Sequence, residues 1–201
     1  MSLTRLSTKI MSSVEDINLA FSSPIPVTSL DRYIRRNNNN FDCAVLNVDG
    51  SCIGSPVRAG FGGLIRNSAG FFLASFSGFL PSSSAILQAE LTAIYYGLSM
   101  AKDMGITELV CYSDSLLSIN VINGSGYRFH VYAVLIQEIK ALLSQANYSL
   151  HHTLREGNQC ADFMTKLGAS SDDIFLSHQF PPDYLRPLLR IDTPGTLFLR
   201  A

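Results

Sequence analysis

The stretch Cys43-Ala44-Val45-Leu46-Asn47-Val48-Asp49-Gly50-Ser51 decides how the rest of the chain is read. Ala44, Leu46 and Val48 fall on one side of a period-two pattern and Val45, Asn47 and Asp49 on the other, which is the signature of a strand. Gly50-Ser51 is expected to stop it, so the strand delivers a carboxylate, Asp49, at its end. After a turn through Gly54-Ser55-Pro56, residues 60–66 and 71–78 read as two more strands joined by Asn67-Ser68-Ala69-Gly70, a hairpin-type link. Connections this short make the three strands consecutive and antiparallel.

Beyond them the period becomes helical. Ser82, Ser83 and Ser84 offer an N-cap to a helix over 85–104, in which Leu87, Leu91, Ile94, Leu98 and Ala101 recur at helical spacing before Gly105. Residues 109–113 form a short strand, Ser115 opens a helix through Ile122, 131–144 are helical, 148–154 are a fifth strand and 160–167 a last helix. This order predicts an α/β domain with a five-stranded mixed sheet, three antiparallel strands first, flanked by helices. The domain is expected over residues 41–170. Residues 1–40, rich in Ser, Thr and Asn and ending in Arg35-Arg36 and four asparagines, read as a flexible tail and linker. Residues 171–201 hold Pro181-Pro182, Pro187 and Pro194-Gly195 and so form an extension, in which Leu185, Leu188 and Leu189 can dock.

Composition bounds the function. With 201 residues, 47% of them apolar and 15% charged, the chain can bury a core and is too apolar for disorder. No apolar run reaches the ~18 residues of a spanning helix, and no membrane partner is expected. Cys43, Cys52, Cys111 and Cys160 are scattered singly, which fits reduced thiols better than a zinc module or a disulfide framework. That suits an intracellular setting, nucleus or cytoplasm, ahead of an organelle, whose leader would need more basic residues than Arg5 and Lys9. A net charge of −1 argues against a protein that coats nucleic acid by electrostatics alone. Residues 41–169 hold 7 basic and 9 acidic side chains, so the structured part is the acidic one.

The placement of those acids carries chemistry. Asp49 ends a strand, Glu90 lies in the first turns of the long helix, Asp114 follows another strand and Asp162 begins the last helix. Taken singly, each is a solvated carboxylate or a helix cap. Together they fall where α/β sheets build sites, at strand ends on one side. Four converging carboxylates repel unless divalent cations neutralise them, and oxygen-only ligands suit Mg²⁺ or Mn²⁺. Two such ions ~4 Å apart imply metal-assisted phosphodiester hydrolysis.

Five pieces in order, Asp49-Gly50-Ser51, Gly62-Gly63-Leu64-Ile65-Arg66, Ala89-Glu90-Leu91-Thr92-Ala93, Ser113-Asp114-Ser115, and His152-Thr153-Leu154-Arg155-Glu156-Gly157-Asn158 leading to Ala161-Asp162, resemble the type 1 ribonuclease H family, in the plant form related to retroelement reverse transcriptases. The resemblance covers residues ~43–168 and implies a ribonuclease H-like fold. It implies that Asp49, Glu90, Asp114 and Asp162 hold two ions when substrate is bound, and that His152, ten residues before Asp162, helps proton transfer or product departure. It implies substrate contacts at Gly50, Ser51, Ser55, Ser115, Arg155 and Asn158, with Asn158 mainly bracing its loop. The implied reaction is endonucleolytic cleavage of the RNA strand of an RNA–DNA hybrid, leaving a 3′-hydroxyl and a 5′-phosphate.

Departures from the family pattern matter too. Ala85-Ile86-Leu87-Gln88-Ala89 precedes Glu90 where active members carry polar residues that read 2′-hydroxyls, and Leu116-Leu117 replace a minor-groove contact. Arg58, Arg128, Lys140 and Arg155 are the candidate phosphate contacts. The alternative is a weak or inactive module that docks a nucleic-acid duplex or a protein partner, and a scaffold using Phe71-Phe72, Phe76 and Phe79 is a third reading.

Overall fold

The computed structural model describes residues 33–35, 43–81, 85–126, 130–191 and 197–199. The expected cap at Ser82–Ser84, Arg128 and most of the N-terminal tail lie outside them. The strands are β1 (Tyr33–Arg35), β2 (Ala44–Ile53), β3 (Arg58–Arg66), β4 (Phe72–Leu80), β5 (Glu108–Ser113), β6 (Asn147–His152), β7 (Leu176–His178) and β8 (Leu197–Leu199). The helices are α1 (Ile86–Asp103), α2 (Leu116–Asn123), α3 (Ala133–Gln145), α4 (Gln159–Ser170) and α5 (Leu185–Ile191), and a 3₁₀ turn spans Arg155–Gly157. Among the described residues, no helix is long and apolar enough to cross a membrane.

The main sheet has the order β6-β5-β2-β3-β4-β7. β2, β3 and β4 run antiparallel as their short links require, while β5 lies parallel to β2 and β6 parallel to β5. The sheet is therefore mixed, with six strands rather than five. The sixth, β7, pairs three residues with Ser75–Ser77 on the free edge of β4, and a triplet that short has no readable period of its own. Within residues 1–40, read from the sequence as a flexible tail, Tyr33–Arg35 form β1, a separate two-stranded ladder with β8. Its partner is more than 160 residues away, so no local signal announces it.

Both faces of the sheet are covered. Leu46, Val48, Phe61, Ile65 and Cys111 meet Leu91, Ile94 and Leu98 of α1 and Ile136 and Ile139 of α3 in the larger core. Leu64 of β3, on the opposite face, packs with Cys160, Ala161 and Met164 of α4 and with Leu185 of α5, while Leu188 and Leu189 lie against the same cluster. The extension thus docks through the leucines that its sequence offers. The expected alternation in β2 holds, with Leu46 and Val48 in the α1 core and Asn47 turned to the α4 side. The Phe71-Phe72, Phe76, Phe79 set forms no shared face, since Phe76 is fully buried, Phe71 is exposed and Phe79 lies under the Arg58 guanidinium.

Helix α1 has Ala85 as its N-cap residue, which makes no side-chain cap. It ends as predicted at Gly105, whose φ of +71° permits the paired bonds Gly105 N–H to Lys102 O and Ile106 N–H to Ala101 O. The four cysteines are unbridged, with Cys111 and Cys160 buried.

Candidate metal centre

Strand lengths create the opening. Val48 of β2 pairs with Ser113, the last residue of the parallel strand β5, so one step further Asp49 and Asp114 emerge side by side where β5 stops. β2 itself does not stop at Gly50-Ser51 as expected but runs to Ile53, because β3 continues to pair with it through Gly60↔Ser51 and Arg58↔Ile53. Asp49 is therefore held inside a strand on one side and released on the other.

Helix α1 supplies the third carboxylate through a backbone contact. A Cβ on Gly50 would stand 2.4 Å from the Glu90 amide nitrogen and 2.7 Å from the Ala89 carbonyl carbon, so only glycine lets the helix come close enough. The resulting ligand oxygens of Asp49, Glu90 and Asp114 all lie within 4.8 Å of one another. Asp49 and Glu90 are buried, at 5% and 7% exposure, and Asp114 is half-buried. Glu90 Oε2 is fully enclosed with no hydrogen-bond partner. A buried carboxylate oxygen without a donor is costly unless a cation satisfies it, and an all-oxygen set of this kind fits a hard divalent ion.

The electrostatics say the same. Burial first, then the charges of Asp114 and Asp162 and a proton shared with Asp114, push the Asp49 carboxyl up to about 8, while the Gly50 amide partly offsets them. Burial and the charges of Asp49 and Asp114 push Glu90 up to about 9, against the opposing pull of the Gly50 amide and the Arg155 guanidinium. Without a cation, these groups prefer to keep their protons at neutral pH.

Asp162 stands apart from this triad. It begins α4 beside the cluster, near enough for its charge to act on Asp49, but its Oδ2 accepts a 2.6 Å bond from Lys166 Nζ. His152 closes β6 opposite Ser113 and is exposed, as is its neighbour His151, whose ring lies 6.0 Å from Tyr112 on the other strand face. Ser115 caps α2, its hydroxyl accepting from the Ser118 amide at 3.3 Å and lying 2.7 Å from the Ser118 hydroxyl. Ser51 Oγ lies 3.4 Å from the Thr165 hydroxyl of α4, and Ser55 sits on the exposed turn between β2 and β3, beyond the carboxylates along the strand.

The candidate phosphate contacts separate clearly. Arg58 donates to the carbonyl of Ala169 at 2.8 Å and to Asp172 at 2.9 Å, closing the C-terminus of α4. Lys140 donates to Gly124 O at 3.0 Å, at the end of α2. Both serve helix termini, where cations meet orphan carbonyls. Arg155, exposed on the 3₁₀ turn, is the one of the three described candidates whose charge reaches the carboxylates.

Sequence reasoning passed over a second set of residues behind the cluster. Arg66, 1% exposed, donates to Asn47 Oδ1 at 2.6 Å. Asn47 in turn donates to Asn158 Oδ1 at 3.2 Å, and Asn158 donates to Val48 O at 2.9 Å, the carbonyl just before Asp49. The Asn158 carbonyl accepts from the Asp162 amide at 3.0 Å. The strand of Asp49 and the helix of Asp162 are thereby tied together, so the bracing expected of Asn158 extends to Asn47 and Arg66. The available signal was an asparagine at an inward strand position, two residues before Asp49. Arg66→Met leaves the Asn47 amide oxygen without this donor in a dry site, and should lower unfolding free energy by about 2 kcal/mol in a urea titration.

Comparison with known proteins places this arrangement. The profile of the family described as Reverse transcriptase-like matches residues 47–168. An Arabidopsis thaliana protein that bears a ribonuclease H name, At1g65750, is 30% identical over 153 residues, which is 75% of this chain and 24% of the relative, so the chain spans about a quarter of that protein's length. Among solved structures, the N-terminal RNase H domain of Rv2228c from Mycobacterium tuberculosis is similar with a TM-score of 0.55 and 25% identity, covering 63% of this chain and 92% of the compared chain. LC11-RNase H1, isolated from compost and solved with an RNA/DNA hybrid, gives a TM-score of 0.56 at 20% identity over 63% and 96% of the two chains. By the family match and by its mixed sheet with helices on both faces, the chain belongs to the Reverse transcriptase-like family and carries a ribonuclease H-like domain.

Proposed function

We propose that this protein is a divalent-metal-dependent endonuclease acting on the RNA strand of RNA–DNA hybrids. The observation that carries the reading is the convergence of Asp49, Glu90 and Asp114 on one point, with Glu90 Oε2 buried and unsatisfied. Mg²⁺ or Mn²⁺ fits this donor set, and when bound it supplies charge that draws in a phosphodiester and lowers the pKa of an attacking water. Asp49, Glu90 and Asp114 hold that charge in place, Asp162 extends the acidic surface towards α4, and Arg155 offers a guanidinium at the rim for a substrate phosphate. His152, exposed at the end of β6 one strand from Asp114, is the proposed group for moving a proton at the departing oxygen. The hybrid bound by the structurally similar LC11-RNase H1 supports the choice of substrate.

Grip on the hybrid is weak in this reading. Ile86 is 48% exposed and Leu116 and Leu117 are 54% and 58% exposed, apolar surface where groove and hydroxyl contacts are needed. A high KM with a measurable kcat follows, because binding rather than chemistry has lost its contacts. The decisive experiment is cleavage of a labelled RNA–DNA hybrid in Mg²⁺ and in Mn²⁺ by wild type beside Asp114→Asn. Cleavage by wild type alone supports the nuclease, and undiminished cleavage by Asp114→Asn rejects the site.

The exposed leucines also favour a second reading, a docking module without turnover. Calorimetry with Mg²⁺ separates the two, since a folded wild type that takes up no metal at millimolar concentration belongs to the second.

A further inference from the structure

The fourth carboxylate already has a cation. Asp162 lies outside the triad of Asp49, Glu90 and Asp114, and its Oδ2 is 2.6 Å from the ammonium of Lys166, one turn along the same helix. The pair is half in water, with side-chain exposures of 25% for Asp162 and 53% for Lys166, so it can open without unfolding anything. An aspartate four residues ahead of a lysine is the favourable orientation of an i,i+4 pair, and the flexible four-carbon stem keeps the ammonium close. Asp162 nevertheless acts on Asp49 through its charge, which places Lys166 at the margin of the metal centre.

We propose that Lys166 is a built-in counter-cation that sets the order in which the centre fills: the triad accepts a first divalent ion, and a second, which needs Asp162, binds only by displacing the Lys166 ammonium. This rests on the proposed function for the identity of the first site. A tethered monovalent cation opposes a divalent one in two ways, by occupying the Asp162 oxygen and by like-charge repulsion. The free protein therefore holds one ion at low metal concentration. The second equivalent enters at higher concentration, as Lys166 swings outward into water.

Titration calorimetry of the whole chain with MnCl₂, without nucleic acid, tests this apart from turnover. Lys166→Met keeps the length of the stem and removes the charge, and Lys166→Arg keeps the charge. Relative to wild type, Lys166→Met should bind the second equivalent roughly tenfold more tightly. The first equivalent should be unchanged, Lys166→Arg should behave as wild type, and adding Asp162→Asn to Lys166→Met should abolish the gain. An unchanged second equivalent in Lys166→Met, or an equal gain in Lys166→Arg, overturns the assignment of Lys166. Absence of the first equivalent from wild type, or its survival in Asp114→Asn, overturns the reading beneath it instead.

Discussion

Asp49→Asn should remove cleavage and at the same time make the metal-free protein more stable. The loss comes from taking one of three converging oxygens out of the metal site, and a drop of roughly three orders of magnitude in kcat/KM is expected, about 4 kcal/mol of transition-state stabilisation. The gain comes from the same carboxylates without a cation. The folded protein holds Asp49 up at about 8, against 3.8 for the ordinary group, and Glu90 at about 9, against 4.5. Between those limits, the folded state binds protons that the unfolded chain has released, so stability falls as pH rises from near 4 to near 9 and is flat above. Asparagine carries no charge to bury and lowers the repulsion on Glu90. In EDTA at pH 8, the variant should exceed wild type by on the order of 2 kcal/mol, about 6 °C in Tm, and the difference should shrink at pH 5. Millimolar Mn²⁺ should raise the wild-type Tm and leave the variant almost unmoved. A wild type whose melting is indifferent to both pH and metal would refute this account of the cluster.

Gly50→Ala should be as damaging as a change in a carboxylate, although it removes no functional group. Its methyl would stand 2.4 Å from the Glu90 amide nitrogen, where only backbone could move aside. α1 must shift bodily from β2, at a cost of about 3 kcal/mol, and Glu90 moves with it. Loss of Mn²⁺ uptake in calorimetry, in a protein that still folds at 10 °C by circular dichroism, is the expected result. Normal metal affinity in Gly50→Ala would show that helix and strand need not touch for the triad to form.

The main lines of the fold were legible because local pattern and tertiary context agree along β2, β3 and α1. Leu46 and Val48 face the α1 core and Asn47 the other side, as their alternation demands. The convergence of Asp49, Glu90 and Asp114 was legible from their joint placement along the order of strands and helices, not from any one of them alone. What escaped reading depended on partners distant in sequence. β2 extends past Gly50 because β3 keeps pairing with it, and a glycine reads as a stop only when the neighbour is unknown. Nothing in the local pattern says that Arg66, a charge at a strand end, is buried, which follows from Asn47 receiving its guanidinium on the α4 side of the sheet. Arg58 and Lys140 read as free cations until the helix carbonyls that occupy them are seen. Asp162 was legible as an acid in the first turn of the last helix, but its engagement with Lys166 depends on which rotamers the helix surface permits.

The three oxygens of the triad come from positions 49, 90 and 114, on a strand, a helix and the loop after another strand. Any ion held there is a cross-link between parts of the chain that share no local turn, closing two loops of roughly 41 and 24 residues at once. Its binding free energy is then added to the cooperative stability of the whole domain rather than to one segment. On the proposed reading, partial unfolding that frees β5 or lifts α1 would release the ion in the same step, so metal uptake would report the integrity of the whole domain.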